Sequence, residues 1–379
     1  MKEVFDGNLY LFFTYNKLNK KDIQTEKKND FSEKYLTLLN KQFDLEITNN
    51  IGKEIQRTYL DSLDFYYLDD NESLDINKTE KAHIFISSDK ITGLTIVTIV
   101  FFKTKIEISQ ILDRLSQNNI KICIDNKDIS LEEYLKSEYD LEYLGSSKAC
   151  ISTNKEIDDK LYPNYFANET FDSQTMNASL KQDKYFKNTN DNIAQYNSSD
   201  LYAAKNTVIR IDKRENYPNK LKSDIIFLFI MEVLMFKECA INRANNKMLK
   251  QLTKKEKIDI NELDVLYDEF SKTVAFWDIS IFKYVSAQNL ANELEIKFET
   301  KEKYNQYKQY QDFINNKINV KQTIELQREN MILFSIALIV FIFEVYGFLK
   351  DFSTKSYSLS ISFFVLITII FLKNWKRKT

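Results

Sequence analysis

The sequence predicts a cytosolic α/β (or α+β) domain, a long stalk helix and a C-terminal hairpin of two transmembrane helices. Two hydrophobic runs, residues 331–349 and 356–372, are separated only by residues 350–355. Glycine and proline are absent between Pro218 and Gly347, which favours uninterrupted helix. Ahead of that stretch, segments rich in β-branched and aromatic residues alternate with amphipathic segments, as in mixed α/β domains.

Residues 1–215 form the predicted α/β domain. Its predicted strands and helices are strands 4–15, 82–87, 94–102, 120–124 and 207–211, and helices 106–115 and 131–138. The consecutive strand, helix and strand over residues 94–124 have the length of a βαβ unit, which predicts that its two strands run parallel. Residues 168–200 are rich in Asn, Asp, Ser, Gln and Lys and predict a long polar loop.

Residues 216–330 form the predicted helical domain. Residues 222–252 contain the apolar sequence IIFLFIMEVLMF, which is short for a membrane crossing and is interrupted by Glu232. We expect a buried cytosolic helix here, with a third membrane crossing as the alternative. From residue 259 onward apolar residues recur at three- and four-residue spacing, which predicts a stalk helix. If it continued to residue 349 it would be about 135 Å long and would require partner helices.

The C-terminal hairpin is predicted from the lengths of the two hydrophobic runs. Residues 331–349 are long enough to cross a hydrocarbon core about 30 Å thick, and residues 356–372 reach across with their flanks. Residues 350–355 are then the outer loop. The tail, residues 373–379, stays in the cytoplasm by the positive-inside rule, and so does the N-terminus. Its basic residues are Lys373, Lys376, Arg377 and Lys378. The alternative is a pair of buried core helices in a soluble protein.

Composition excludes several classes of protein. Acidic and basic residues number 55 and 53, so no nucleic-acid partner is indicated. The cysteines, Cys123, Cys150 and Cys239, are few and widely spaced, as expected in a reducing compartment. The single histidine, His83, lies in an apolar strand and is more typical of a packed side chain than of a catalytic base. Five glycines leave no nucleotide-binding loop motif, and we expect no enzyme.

The first hydrophobic run contains one ionisable residue, Glu344. An ionisable side chain within a span typically faces a helix bundle or a water-filled path, although Glu344 is near enough to the end to reach the outer interface. One helix face carries six residues that we predict to line a pore: Asn330, Phe334, Ala337, Phe341, Glu344 and Phe348. A ring of these faces would form an apolar constriction. The alternative is that this face packs on other helices.

Taken together, this architecture resembles the CorA family of divalent-cation channels over nearly the whole chain. That family's first membrane helix ends in Tyr-Gly-Met-Asn, and the corresponding residues here are Tyr346, Gly347, Phe348 and Leu349. The segments ELQREN and LKNWKRK, which flank the hairpin, are also similar. The resemblance implies a homopentamer in the lipid bilayer, with the first membrane helix lining the pore and the basic tail around its cytosolic mouth. The family's asparagine ring selects hydrated Mg²⁺, and Leu349 cannot replace it because a leucine side chain has no hydrogen-bonding atom.

This incomplete signature favours a divergent branch of the family, the type III CRISPR-associated CorA membrane effectors. That resemblance implies a channel in the inner (plasma) membrane of a prokaryote that a nucleotide second messenger, S-adenosylmethionine joined to AMP (SAM-AMP), opens to disrupt ion gradients in antiviral defence. The ligand would bind the N-terminal domain or the long-helix bundle, at residues that no motif identifies. Two alternatives are a Mg²⁺/Co²⁺ transporter and a membrane-tethered sensor or scaffold without a pore.

Overall fold

The structure is a computed structural model, and its coverage is interrupted. It describes residues 5–17, 29–47, 54–66, 79–106, 120–124, 127–154, 192–195, 198–214, 220–253 and 260–349. The chain divides into two compact units, Met1–Tyr310 and Gln311–Thr379. The predicted outer loop, second membrane helix and basic tail, residues 350–379, lie outside the described residues.

Ten strands within the described residues form one sheet. They are β1 (Phe5–Lys17), β2 (Ile55–Tyr66), β3 (Thr79–Asp89), β4 (Leu94–Ile106), β5 (Lys121–Ile124), β6 (Lys127–Ser130), β7 (Leu141–Thr153), β8 (Asn192–Gln195), β9 (Ser199–Ala203) and β10 (Thr207–Asp212). Their order across the sheet is β6-β5-β2-β3-β4-β1-β7-β10-β9-β8. Strands β7 and β10 pair in parallel, and the other pairs are antiparallel. The predicted mixed α/β character is confirmed.

The helices in the described residues are α1 (Asp30–Glu46), α2 (Leu131–Tyr139), α3 (Lys220–Thr253), α4 (Ile260–Phe276), α5 (Val285–Lys297) and α6 (Thr300–Leu349). Helix α2 confirms the helix predicted at residues 131–138. Ser130 begins it by accepting a hydrogen bond from the backbone N–H of Glu133 at 3.1 Å. The predicted helix at residues 106–115 falls almost entirely outside the described residues.

The predicted βαβ unit is wrong. Strand β5 pairs antiparallel with β2, and β2 and β3 lie between β5 and β4, so β4 and β5 run in opposite directions. The reason is that β3 and β1 occupy both edges of β4, so β5 joins the sheet beside β2 instead. The short turn between β3 and β4 includes Gly93, whose φ of 72° favours glycine. That turn joins β3 and β4 as an antiparallel hairpin, and strands adjacent in sequence usually pair.

The polar segment 168–200 is also not loop throughout, because β8 and the start of β9 lie within it.

The sheet is buried on both faces. Successive residues of β1 point to opposite sides, so Tyr10 and Phe12 join one core cluster while Leu9 and Leu11 join the other. Helices α1, α3 and α5 contribute to the first cluster, and α2 contributes to the second. Helix α3 lies at the centre of the first cluster, where Met231, Met235 and Phe236 are each 0 % exposed. The buried helix predicted at residues 222–252 is therefore confirmed.

The single helix considered over residues 259–349 is instead three helices, α4, α5 and α6. After α4, Trp277 stacks on Phe236 with ring centroids 4.4 Å apart, and Phe282 forms a β-bridge with Ile47. The second break follows α5, where Glu299 has a φ of 54°. No glycine or proline causes these breaks. The helix ends because Trp277, Phe282 and Phe298 are buried in the core, each at 1 % exposure or less.

Helix α6 is the one helix within the described residues that is long and apolar enough to cross a membrane. It runs for 50 residues, about 75 Å, and its most apolar part has a mean hydropathy of 2.0. None of that apolar part is buried by the rest of the chain. Length and composition therefore indicate membrane association through α6.

Candidate functional site

The residues predicted to line a pore share one face of α6. Helical geometry places Asn330, Phe334, Ala337, Phe341, Glu344 and Phe348 within an arc of about 80°. Phe334 and Phe341 are 52 % and 53 % exposed, and Glu344 is exposed as well. The side chain of Phe348 lies outside the described part of the structure. Their shared face follows from the helical geometry of α6, and their role in a pore stays a prediction.

The filter positions lie at the end of the same helix. Tyr346, Gly347, Phe348 and Leu349 are all helical, and α6 ends at Leu349. A Cβ atom added to Gly347 would meet nothing within 4 Å, so packing inside this chain does not require glycine there. The basic tail residues Lys373, Lys376, Arg377 and Lys378 lie beyond the described residues.

The apolar part of α6 is exposed around most of its circumference. Ile332, Leu333, Ile336, Ile339, Val340 and Phe343 are each more than half exposed. An exposed apolar surface of this extent is typical of a surface that contacts lipid or other subunits. In water it would be an aggregation hazard.

The first turn of α6 is held by a buried carboxylate. Glu238 of α3 is 1 % exposed and accepts hydrogen bonds from the Lys303 ammonium and the Ser146 hydroxyl. The Lys148 ammonium lies 3.6 Å from the same carboxylate. Burial opposes ionisation of Glu238, but the two lysines outweigh it and lower the pKa of this carboxyl group. We call these four residues, Glu238, Lys303, Lys148 and Ser146, the anchor cluster.

Aromatic rings hold the next turn of α6. The ring of Tyr307 lies 3.7 Å from that of Phe270 of α4, and the ring of Tyr304 lies 6.0 Å from that of Phe270. The Asn245 side chain of α3 donates to the Lys303 carbonyl oxygen at 3.3 Å. Sheet, α3 and α4 therefore all contact the start of α6.

A cavity of about 460 Å³ opens between the start of α3, the N-terminal end of α5 and strands β9 and β10. Its volume is within the usual range for small-molecule sites. Its apolar wall includes Phe227, Ile230 and Leu290, while Glu46 and Ser223 are among its polar residues. All of these residues belong to the compact unit Met1–Tyr310.

One side of the cavity rests on a buried network of two arginines and two aspartates. Arg210 donates to Asp224 at 2.9 Å, to Asp212 at 3.0 Å and to the Ser223 hydroxyl at 2.6 Å. Arg214 donates to the same hydroxyl at 2.8 Å. Burial opposes ionisation of Asp212, but hydrogen bonds from Arg214 and the charge of Arg210 lower its pKa to about 2. The network is electrically balanced, so it orients Ser223 without adding net charge.

Neither the anchor cluster nor the cavity was predicted from the sequence. One signal was available: Asp224, Glu232 and Glu238 all lie within the apolar sequence of α3, and buried carboxylates require partners. Arg57 and Lys148 are on strands far away in sequence and Lys303 is on α6, so pattern alone could not find these partners. His83 packs against Phe31, with ring centroids 4.6 Å apart, and burial followed by the charge of Lys81 lowers its pKa.

Comparison with known proteins gives no match among family models, curated proteins or solved structures. Within the described residues, no group of three or more His, Cys, Asp or Glu side chains is placed to hold a metal ion.

Proposed function

We propose that this chain is a CorA-like oligomeric membrane channel that a cytosolic nucleotide second messenger of the SAM-AMP type opens, disrupting ion gradients in antiviral defence. One observation carries the proposal. Helix α6 is continuous from the anchor cluster at Lys303 to the apolar, exposed span that ends at Leu349. A displacement at its base therefore passes along one element of secondary structure to the membrane.

The pore would require several copies of α6. Each copy contributes the face with Phe334, Ala337 and Phe341, and a ring of these side chains closes a channel by excluding water. Glu344 then places carboxylates near the outer mouth. We propose a homopentamer in the inner (plasma) membrane of a prokaryote, with both termini in the cytoplasm and residues 356–372 as the second membrane helix.

The anchor cluster supplies a physical basis for gating. A buried ion cluster has few alternative arrangements of similar free energy, so the base of α6 is held in discrete positions rather than continuously deformable. A ligand that raises the open population from about 1 % to about 99 % must favour the open state over the closed state by about 5.5 kcal/mol. Breaking and reforming a buried ion pair involves free energies of the same order.

A second candidate function is transport of Mg²⁺ or Co²⁺. Tyr346 and Gly347 favour it because they match half of the CorA signature. Leu349 counts against it, since a leucine side chain offers no oxygen to a hydrated Mg²⁺ ion.

The test is ion flux from liposomes that contain the full-length protein under a magnesium gradient, with and without SAM-AMP. We expect flux only when the messenger is present. We also expect Glu344→Gln to change the rate or the ion preference, whereas the matched control Glu325→Gln, on the polar part of α6, leaves both unchanged. Flux without messenger that cytosolic Mg²⁺ suppresses would establish the transporter instead. An assembled protein with no flux under either condition would leave only a membrane-tethered sensor or scaffold.

A further inference from the structure

We infer that the turn between β3 and β4 of one copy of this chain inserts Ile91 into the cavity between α3, α5, β9 and β10 of a second copy. Two features of the chain fit each other: an apolar cavity with an acidic edge, and a protruding apolar side chain beside a lysine. This contact goes beyond the proposed function and shares with it only the requirement for several copies of the chain.

The mouth of the cavity carries an exposed apolar patch. Four large apolar side chains there are each more than half exposed: Leu45, Ile226, Tyr284 and Val285. Ile226 and Tyr284 line the cavity, while Leu45 and Val285 each adjoin a lining residue in the chain. A small molecule inside the cavity would leave Leu45 and Val285 in water, whereas the surface of a protein covers the patch and the cavity together.

One edge of the patch is acidic. Glu46 lines the cavity and forms no ion pair within the described residues, and its carboxylate accepts a hydrogen bond from the Gln42 side chain at 3.0 Å. The nearby Lys283 ammonium instead donates to the Leu45 carbonyl oxygen at 3.1 Å. Burial raises the pKa of the Glu46 carboxyl group, against the opposing effects of Lys283 and Gln42. A further cation is therefore favourable at Glu46.

The complementary feature is the turn between β3 and β4. Ile91 lies in the middle of this turn and, at 70 % exposure, is the most exposed large apolar residue among the described part of Met1–Tyr310. The buried Asp89 carboxylate accepts hydrogen bonds from the Ile91 backbone N–H at 2.9 Å and from the Thr92 hydroxyl. Arg243 donates to the Thr92 carbonyl oxygen at 2.6 Å. The turn is therefore held in one conformation, and little conformational entropy is lost when Ile91 binds a partner.

The two features match in size and in charge. Lys90 is exposed beside Ile91 and has no ion pair among the residues that the structure describes. With Ile91 in the cavity, the Lys90 ammonium complements the charge of the Glu46 carboxylate. A cavity of about 460 Å³, large enough for a small molecule, has room for Ile91 and the methylene stem of Lys90. Apolar burial then supplies the affinity, and the ion pair fixes the orientation.

The two features of one chain lie toward opposite ends of α3. Arg243 contacts the turn, whereas Ile226 and Ile230 line the cavity, and Ile230 and Arg243 are about 20 Å apart along the helix. The turn of one copy therefore reaches the cavity of a different copy rather than its own. Such a head-to-tail contact forms a ring when the rotation between copies closes, and a ring is the arrangement that a central pore requires.

The test is disulfide cross-linking between two differently tagged copies of the full-length protein, co-expressed in the same membranes. One copy carries Ile91→Cys and the other Ile226→Cys, and we expect mild oxidation to yield a dimer that contains both tags. The wild type and either variant alone should yield little dimer, because the three native cysteines are buried or half-buried. Val265→Cys with Ile226→Cys is the matched control, since Val265 is also highly exposed but lies on α4.

Charge reversal tests the same contact without added cysteines. Lys90→Glu and Glu46→Lys should each weaken self-association about tenfold, and the double variant should restore it, because the ion pair re-forms with its signs exchanged. Ile91→Asp should also weaken self-association by about tenfold or more, whereas Val265→Asp, the matched control, leaves it unchanged. Mass photometry of the full-length protein in detergent, over a dilution series, measures the assembled fraction.

Three outcomes would overturn the inference. These are no mixed dimer, a dimer as abundant with Val265→Cys as with Ile91→Cys, and a double charge reversal that assembles no better than the single variants. The thermal unfolding midpoint of each variant shows whether it has folded. The contact and the channel fail separately: messenger-gated flux in a protein without the mixed dimer removes the contact and keeps the channel. A mixed dimer in a protein without flux keeps the contact and removes the channel.

Discussion

Helix α3 and the apolar part of α6 are alike in composition and opposite in environment. Phe236 of α3 is completely buried, whereas Phe341 of α6 is 53 % exposed. The two helices differ in whether their charged side chains form ion pairs with the surrounding fold. On α3, Glu232 pairs with Arg57 at 2.7 Å, and Arg243 pairs with Glu269 at 2.6 Å.

The apolar part of α6 follows a different rule. Its one carboxylate, Glu344, is exposed on the helix face that we propose lines a pore. A core helix can include several charges because the surrounding fold supplies their partners. A membrane helix excludes them except where they face protein or water. The comparison teaches that the number and pairing of charges, more than total hydrophobicity, distinguish these two helices.

The largest test of the comparison is one substitution made in both helices. Phe236→Ala removes a buried ring that stacks on Trp277, and we expect it to lower the free energy of unfolding by about 3–5 kcal/mol. Phe341→Ala should change that free energy by less than about 0.5 kcal/mol, because no core packing is lost. Urea unfolding of the full-length protein in detergent, followed by circular dichroism, measures both. Equal losses would mean that Phe341 is buried in the assembled protein.

The second test concerns the paired charges of α3. Glu238→Gln removes the charge that faces Lys148 and Lys303, and we expect a loss of about 3 kcal/mol because the buried Lys148 and the partly buried Lys303 are left without this counter-charge. Asp268→Asn is the matched control, since its partner Lys272 is exposed and such pairs contribute less than about 1 kcal/mol. The same urea unfolding measurement applies. If both variants lost equal stability, the anchor cluster would be no stronger than a surface ion pair.

Much of the fold could be predicted because local pattern determines it. Strands β1, β3, β4, β5 and β10 and helix α2 followed from the residue pattern, whereas β2, β6, β7, β8 and β9 were not predicted. The buried character of α3 followed from its length and from Glu232. The order of the strands could not be predicted, because the partner of β5 depends on contacts distant in sequence. The breaks beside Trp277 and Glu299 were missed for the same reason: core burial, and no local breaker, ends those helices.

One candidate site could be predicted from local pattern, and the other two could not. The residues that share a face of α6 with Phe334 and Phe341 can be predicted from helical periodicity alone, because that depends only on their spacing in the sequence. The cavity and the anchor cluster depend on which strand brings Ser146 or Arg210 to α3. That placement is a property of the whole sheet, and no local pattern encodes it.

The smallest effect concerns the polar network at the start of α3. The pKa of Asp212 is about 2 in the folded protein, below the ordinary value near 4, because its hydrogen bonds from Arg214 and the charge of Arg210 outweigh burial. A carboxyl group with a lowered folded pKa stabilises the protein above its unfolded pKa, and that contribution is lost as the pH falls through the folded value. We therefore expect Asp212 to contribute about 2 kcal/mol at neutral pH and to lose this contribution between about pH 4 and pH 2.

Asp212→Asn isolates this contribution. The variant should be less stable than the wild type at neutral pH, and the difference should shrink as the pH falls below about 4, because every other carboxyl group titrates in both proteins. Urea unfolding across that pH range measures the difference, with Asp268→Asn as the exposed control whose offset stays near zero. A constant offset between wild type and Asp212→Asn at all pH values would mean that Asp212 acts through packing and hydrogen bonding alone. A shrinking offset would show that charge pairing holds the start of α3 against the sheet, a form of stabilisation that the apolar part of α6 lacks.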